Sequence, residues 1–417
     1  MHSMDLVLLN EKQQQLDGLL REMKADCWLV YCREGSDPST VLYVGYPMVG
    51  ESAFFFTRDL KKIAIVANYD RLAAEEVGVF DEVIAYGLDG IETSFREVMA
   101  RLASRTIALN YSTDDSLVDG LTYGLFRRIR EWIADEDLEC RVMSAEPILI
   151  PLRARKSPEE LRRLQIAIDT TQSVFDEIAA FARPGMTELD VGAFIHDRQV
   201  SHGVSGAFGD SAIVATGDVG VGHRTPGPHL LRAGDVLIVD MGVTYKGYTS
   251  DFTRTCYLLR EGENEPPVGF RRQFAAARDA THKAIAAMAP GKLGHEIDRI
   301  ARDHIRSCGI EPYADALGHQ IGRRVHDGGA LLAPLVPRYG KKGTIPLEPG
   351  NVFTVEPFIY SRTTADGAPP IGLEEDVLVT ETGARALTRP QEELICIHPD
   401  TGRTESQQPS PTKKGRS

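Results

Sequence analysis

The stretch VLIVDMGVTYKGYTSDFTRT, from Val236 to Thr255, constrains this chain more than any other. It reads as two β-rich runs around Lys246-Gly247, and a glycine in a two-residue loop between such runs marks a hairpin. If Tyr245 pairs with Tyr248, the antiparallel register puts Asp240 opposite Thr253 and Asp251 opposite Gly242. Side chains alternate between the faces of a sheet, so Asp240, Asp251 and Thr253 share one face. The two carboxylates are then diagonal neighbours, within about 7–8 Å by backbone geometry. Burying unpaired anions is costly, so such a pair must share a proton, find cations or bind metal. A lone aspartate ending a strand would require none of these.

The 417 residues suffice for two domains, and an apolar share of 42% with 26% charged residues suits a globular fold. A net charge of -13 argues against a nucleic-acid or anionic-membrane surface, both of which call for basic patches. A small-molecule or peptide substrate is expected instead. Six cysteines lie scattered without a CxxC pair, the pattern of reduced thiols. The opening MHSMDLVLLNEKQQQ has too short an apolar run for a signal peptide, and nothing approaches a membrane span. These features predict a cytoplasmic protein.

Up to about residue 150, the runs CWLVY, AFFFT, KIAIVA, EVIAYG and TIALN alternate with helical stretches, which predicts an α/β domain over 1–150. ILIPLRARKSPEELRRLQ then reads as a linker entering a long helix, with Ser157 as N-cap, Pro158 in the first turn and Glu160 closing a capping box. A second domain is expected over 151–400, followed by a polar, Pro/Ser-rich disordered tail at 401–417. The second domain echoes itself. FARPGMTELDVGAFIHDRQVSHGV and MAPGKLGHEIDRIARDHIRSCGI both run Pro-Gly, amphipathic helix, Gly-bounded break, 106 residues apart from Pro184 to Pro290. Two similar halves suit a site between them.

Beyond the hairpin, GHQIGRRVHDGG places His319 and His326 among glycines, FTVEP gives Glu356, and GLEEDVLVTETG gives Glu375 opening a strand. Four carboxylates (Asp240, Asp251, Glu356, Glu375) and the His319 imidazole suit two divalent ions such as Mn, Co or Zn. Two such ions position and deprotonate a water for hydrolysis. Rival motifs fail: in HEIDR, Arg299 stands where HExxH needs its second histidine, and GDVGVG, GKKGT and HGVSG miss the dinucleotide, P-loop and nucleophile-elbow patterns.

GHRTPGPHLLRAGDVLIVDMGVTYKGYTSDFTRT, GHQIGRRVHD, GNVFTVEP and EEDVLVTETG, in that order, resemble the pita-bread metallopeptidases. That group includes methionine aminopeptidase, aminopeptidase P and Xaa-Pro dipeptidase (prolidase). The likeness covers roughly Ile148 to Pro399, and the preceding α/β region is similar to the N-terminal domain of the prolidase, aminopeptidase P and creatinase branch. It implies a creatinase-like α/β domain followed by an α+β pita-bread catalytic domain with a pseudo-twofold repeat. It further implies that Asp240 chelates one metal and His319 and Glu356 the other, with Asp251 and Glu375 bridging. His223 and His326 fall at the family's substrate-contacting histidines, Glu356 at its proton shuttle, and Thr253 could orient a ligand carboxylate from behind. The implied cofactors are two divalent ions, manganese first and cobalt, zinc or iron as alternatives.

Three positions depart from the family pattern: Leu373 where an arginine commonly precedes the bridging glutamate, Asp210 where a tyrosine is common, and Asp315 where a histidine is frequent. The expectation is therefore an atypical Xaa-Pro dipeptidase, acting on a small peptide with proline second, and a homodimer like its relatives. Aminopeptidase P is the alternative, followed by a metal-using lyase or a non-catalytic binding module of the same fold.

Overall fold

The computed structural model describes residues 5–46, 48–133, 141–209, 211–217, 224–360 and 370–399. The expected tail at 401–417 lies outside them, as do His223 and Asp210. Two compact units are present: Met1–Leu161 with Asp327–Gly329, and Arg162–His326 with Ala330–Ser417. Their boundary falls eleven residues beyond the expected 150. The stretch read as a linker is in fact largely helical, because Pro147 is tolerated in a first turn and Pro151 is accommodated inside Glu146–Ala154. No helix of the described residues is long and apolar enough to cross a membrane.

The first unit is a six-stranded mixed sheet. In chain order it contains α1 (Leu6–Glu22), β1 (Cys27–Cys32), β2 (Ser52–Thr57), β3 (Lys62–Ala67), α2 (Arg71–Glu76), β4 (Glu82–Tyr86), α3 (Glu92–Leu102), β5 (Ile107–Leu109), α4 (Tyr123–Ile133), β6 (Val142–Ser144) and α5 (Glu146–Ala154). The sheet order is β4-β3-β2-β1-β5-β6, and β6 is a strand that the hydrophobic pattern did not announce. These strands read as unbroken apolar runs because both sheet faces are covered. Trp28, Val30, Phe54 and Phe56 point to one core with Leu16 and Leu20 of α1. Leu29, Tyr31, Phe55 and Ile63 point to the other with Phe95 of α3 and Ile129 of α4. Each such side chain contributes about 1.5–3 kcal/mol on burial.

Helix α6 (Pro158–Phe181) leads to the second unit and starts as expected: Ser157 N donates to Glu160 Oε2 at 2.8 Å, and Glu160 N to Ser157 Oγ at 3.4 Å. The second unit continues with α7 (Glu188–Ser201), β7 (Ser205–Gly206), β8 (Ile213–Thr216), β9 (Val236–Met241), β10 (Val243–Tyr245), β11 (Tyr248–Thr249), β12 (Phe252–Leu258), α8 (Val268–Ala287) and α9 (Gly294–Ser307). Then come β13 (Gly318–His319), β14 (Leu331–Leu332), β15 (Val352–Val355), β16 (Glu375–Val379), β17 (Ala384–Ala386) and β18 (Ile395–Ile397). The sequence echo is a structural one. Helices α7 and α9 each follow a positive-φ glycine, Gly185 and Gly291, and each ends before another, Gly203 and Gly309. Helices α8 and α9 close the core against β9, β12, β15 and β16 through Phe270, Phe274, Ile297, Ile238, Phe353 and Val377.

The hairpin register is the one its turn predicts. Tyr245 pairs with Tyr248 and Asp240 with Thr253. Lys246 and Gly247 both take positive φ, 47° and 78°, as a two-residue hairpin turn matching the strand twist requires.

Candidate metal centre

Strands β9 and β12 bring the two aspartates together. Asp240 is cross-strand from Thr253, and Asp251 stands two residues earlier on the same face. Between them the chains cross closely: a Cβ on Gly242 would collide with the Ser250 carbonyl oxygen, so only glycine fits there. Asp251 is buried, and its backbone N–H donates to Asp376 Oδ2 at 3.2 Å.

His319 on β13 and the ends of β15 and β16 supply the rest. Val355 pairs with Glu375, so the next pair outward along the same register is Glu356 with Glu374. Glu374 and Asp376 therefore share one face and Glu375 takes the other. This corrects the expectation for Glu375. Its carboxylate accepts from Arg254 Nη2 at 2.9 Å, from Gln391 N at 3.0 Å and from the Thr388 hydroxyl, all away from the aspartates. The Arg254 guanidinium it meets is 2% exposed. The carboxylate that joins the cluster is Glu374, which the sequence reading missed. The register of β15 against β16 would have revealed it, but the run EED offers two neighbouring candidates and no parity. With Glu374 in this place, the residue two positions earlier is Gly372, and Leu373 is a core side chain.

Asp240, Asp251, His319, His326, Glu356 and Glu374 all line one cavity of about 790 Å³. One ligand atom each from Asp251, His319 and Glu374 lies within 4.8 Å of the other two. Burial, then the Asp240, Glu356 and Asp376 carboxylates, push the Asp251 carboxyl well above the usual carboxylate range. Burial, then Asp251, Glu356 and Asp240, do the same to Glu374, opposed by a hydrogen bond from Thr253. Glu356 is pushed up to about 8 by burial and by Asp240, against a hydrogen bond from Thr354. All three shifts have the same two causes, burial first and neighbouring carboxylates second.

The histidine points to what would offset these carboxylates. His319 Nδ1 lies 3.3 Å from the Gln320 carbonyl oxygen, which only accepts, so Nδ1 donates there and, in the neutral ring, Nε2 is the nitrogen open to a metal. Nε2 faces Asp251 Oδ2 and Glu356 Oε1, each at 3.5 Å. That nitrogen and the two carboxylate oxygens converge on the place where a cation would be held. Carboxylate oxygens with one imidazole are the donor set of Mn, Fe, Co or Zn, so these residues fit a divalent metal.

Two further predicted residues flank the cluster. The His326 ring centroid is 4.3 Å from that of His319, and Thr253 Oγ1 donates to Glu374 Oε2 at 2.8 Å. Asp315 accepts from Arg338 Nη1 at 2.8 Å and from the Tyr360 hydroxyl at 3.2 Å, at the wall of the same cavity. The described cysteines Cys27, Cys32, Cys256, Cys308 and Cys396 are free thiols.

The sequence signature of metallopeptidase family M24 matches residues 162–381. An uncharacterized peptidase of Bacillus subtilis, YqhT, is 30% identical over 280 residues, 67% of this chain and 73% of that protein. The Xaa-Pro dipeptidase of Pyrococcus furiosus is 28% identical over 260 residues, 60% of this chain and 67% of the other. Among solved structures, the X-Pro aminopeptidase of Thermotoga maritima superposes with a TM-score of 0.70 at 25% identity, covering 92% of this chain and 99% of that one.

Proposed function

The chain belongs to metallopeptidase family M24, and from that premise we propose that it is an Xaa-Pro dipeptidase working with two divalent ions, manganese foremost. The observation that carries this reading is the convergence of Asp240, Asp251, Glu356 and Glu374 with His319 on one cavity. In it, Asp240 would hold one ion, His319 and Glu356 the other, and Asp251 and Glu374 would be shared. Such ions, when bound, supply a Lewis acid for the substrate carbonyl and lower the pKa of water.

The chain's own groups do the rest. Proline's nitrogen in an Xaa-Pro bond carries no hydrogen, so it must receive a proton before it can leave as an amine. Glu356 faces the cavity with its side chain 35% exposed, placed to take a proton from the attacking water and return it to that nitrogen. Water adds to the carbonyl carbon, its proton passes through Glu356 to the proline nitrogen, and the C–N bond breaks to give a free amino acid and proline. His326, beside His319, donates a hydrogen bond to the oxygen that gains charge, and His223 is assigned the same kind of substrate contact by its family position. Thr253 holds Glu374 in place.

Free thiols agree with a cytoplasmic location. A homodimer is assigned by likeness to the family, and light scattering checks it. Likeness to an X-Pro aminopeptidase keeps that activity as the second reading. Metal-stripped protein, reloaded in turn with Mn, Co, Zn or Fe and assayed on Ala-Pro, Ala-Pro-Pro and Ala-Ala, tests both. Cleavage of Ala-Pro above the others, with near two ions per chain, is expected. Preference for the tripeptide would overturn the dipeptidase assignment, and absence of cleavage at every metal would overturn the peptidase reading.

A further inference from the structure

We infer that Thr354 is a positioning residue for the centre: its hydroxyl couples the backbone of His319 to the carboxylate of Glu356 and decides which oxygen of that carboxylate meets the substrate. The inference rests on the metal-dependent reading given above.

Thr354 lies in β15, fully buried, two residues before Glu356. Its Oγ1 accepts from His319 N at 3.1 Å and donates to Glu356 Oε1 at 3.1 Å. The direction of this pair is fixed. A backbone N–H can only donate, so the hydroxyl accepts from His319 through one lone pair and gives its single proton to Glu356. The same Oε1 stands 3.5 Å from His319 Nε2, so the ring and backbone of one histidine and the carboxylate of one glutamate are closed into a loop through the hydroxyl. With Oε1 pinned on that side, Oε2 is the oxygen left to face the cavity and carry a proton.

The backbone around the loop is rigid. Glu356 N donates to Leu317 O at 2.7 Å, Gln320 bridges to Phe353, and a Cβ on Gly318 would collide with the Thr354 carbonyl oxygen. The hydroxyl therefore sits between partners whose backbones are held in place. The arrangement repeats that of Thr253 with Glu374, so each of the two glutamates is steered by one buried threonine. Among β-branched residues, valine would fill the same volume and break only the polar loop, leaving the His319 N–H without its acceptor.

Two variants separate this role from packing. Thr354→Val keeps the shape and loses the hydroxyl; Thr354→Ser keeps the hydroxyl and loses a methyl. Calorimetric titration of Mn into metal-stripped protein is read beside steady-state kinetics on Ala-Pro. Thr354→Val should bind Mn about 10-fold more weakly and lose about 10–100-fold in kcat, with KM within about threefold of wild type. Thr354→Ser should return both to within about threefold. Unchanged Mn affinity and kcat in the valine variant would overturn the inference, and so would a serine variant as impaired as the valine one. If the valine variant does not fold, the serine and alanine variants carry the same comparison, with alanine as the hydroxyl-free member. Wild-type protein that takes up no Mn sinks the metal reading and this inference with it; wild type that binds Mn as Thr354→Val does sinks the inference alone.

Discussion

The two units each bury a group of charges, and they do so on opposite terms. In the first, Asp327 is held between Arg153 and Lys156, the lysine Nζ at 3.1 Å, and Lys12 meets Glu160 at 2.8 Å, every one of these side chains nearly inaccessible. In the second, Asp240, Asp251, Glu356 and Glu374 crowd around the His319 imidazole, with His326 beside it. Burial acts on Asp327 as on any carboxyl, pushing its pKa up, yet Arg153 and Lys156 outweigh it and hold the group below the usual range. The same burial acts on Asp251 and Glu374, where neighbouring carboxylates add to it, and their pKa values go up. A balanced buried group is accounted for by the fold alone; an unbalanced one needs something the polypeptide does not supply.

The sharpest way to break this contrast is to exchange neighbours. Glu374 belongs to the unbalanced group and Glu375, one residue on, to a balanced pair with Arg254. Glu374→Gln should cost about 1000-fold or more in kcat/KM on Ala-Pro and weaken metal binding, while the melting temperature of metal-free protein stays level or rises because a repelled carboxylate has gone. Glu375→Gln should do the reverse, leaving Mn affinity within about threefold and lowering stability by about 3 kcal/mol, since Arg254 is left buried without its anion. Metal titrations and thermal melts of both variants decide. If Glu375→Gln abolishes metal binding and Glu374→Gln does not, the face alternation drawn from the β15–β16 register is wrong.

That pair also shows what a sequence can reveal. The aspartates were legible because a turn signal, Lys246-Gly247, sets a register within one short segment, and register decides the face. The capping box at Ser157 and Glu160 was legible for the same reason, its parts three residues apart. Glu374 was not, since its face depends on pairing with Val352–Val355, some twenty residues away and beyond the reach of any local signal. The pairing of Asp327 with Arg153 and Lys156 spans more than 170 positions, so a sequence reader sees only an acidic neighbour of His326. Helix α5 was hidden by its prolines, which read as linker chemistry although one sits in the first turn.

The balanced group can be tested from its own side. Asp327→Ala leaves Arg153 and Lys156 facing each other, buried and without an anion, and should lower stability by about 3–5 kcal/mol in denaturant titrations. Removing a carboxylate thus destabilises a balanced group, Asp327 with Arg153 and Lys156, and spares the cluster around His319. A loss under about 1 kcal/mol would mean that water or another anion reaches Arg153 and Lys156, and that their burial has been overstated.

The smallest effect is the pH response, and it separates the two groups without mutation. Glu356 has an ordinary value of 4.5 and about 8 in the folded protein, so between these limits the folded chain binds more protons than the unfolded one. Stability must then fall as pH rises through that window, and Asp251 and Glu374, shifted in the same direction, deepen the fall. Asp327 has the opposite sign: shifted down from 3.8, it contributes fully above that value and is lost only on acidification below it, so it adds no slope between pH 5 and 8. Metal-free protein should therefore lose a few degrees of melting temperature across that range. Saturating Mn should flatten the slope by supplying the missing positive charge, and Glu356→Gln should reduce it without metal. A metal-free melting temperature that rises from pH 5 to 8, or a slope that Mn leaves untouched, would mean that the carboxylates already have their cations and that the difference between the two groups is not one of charge balance.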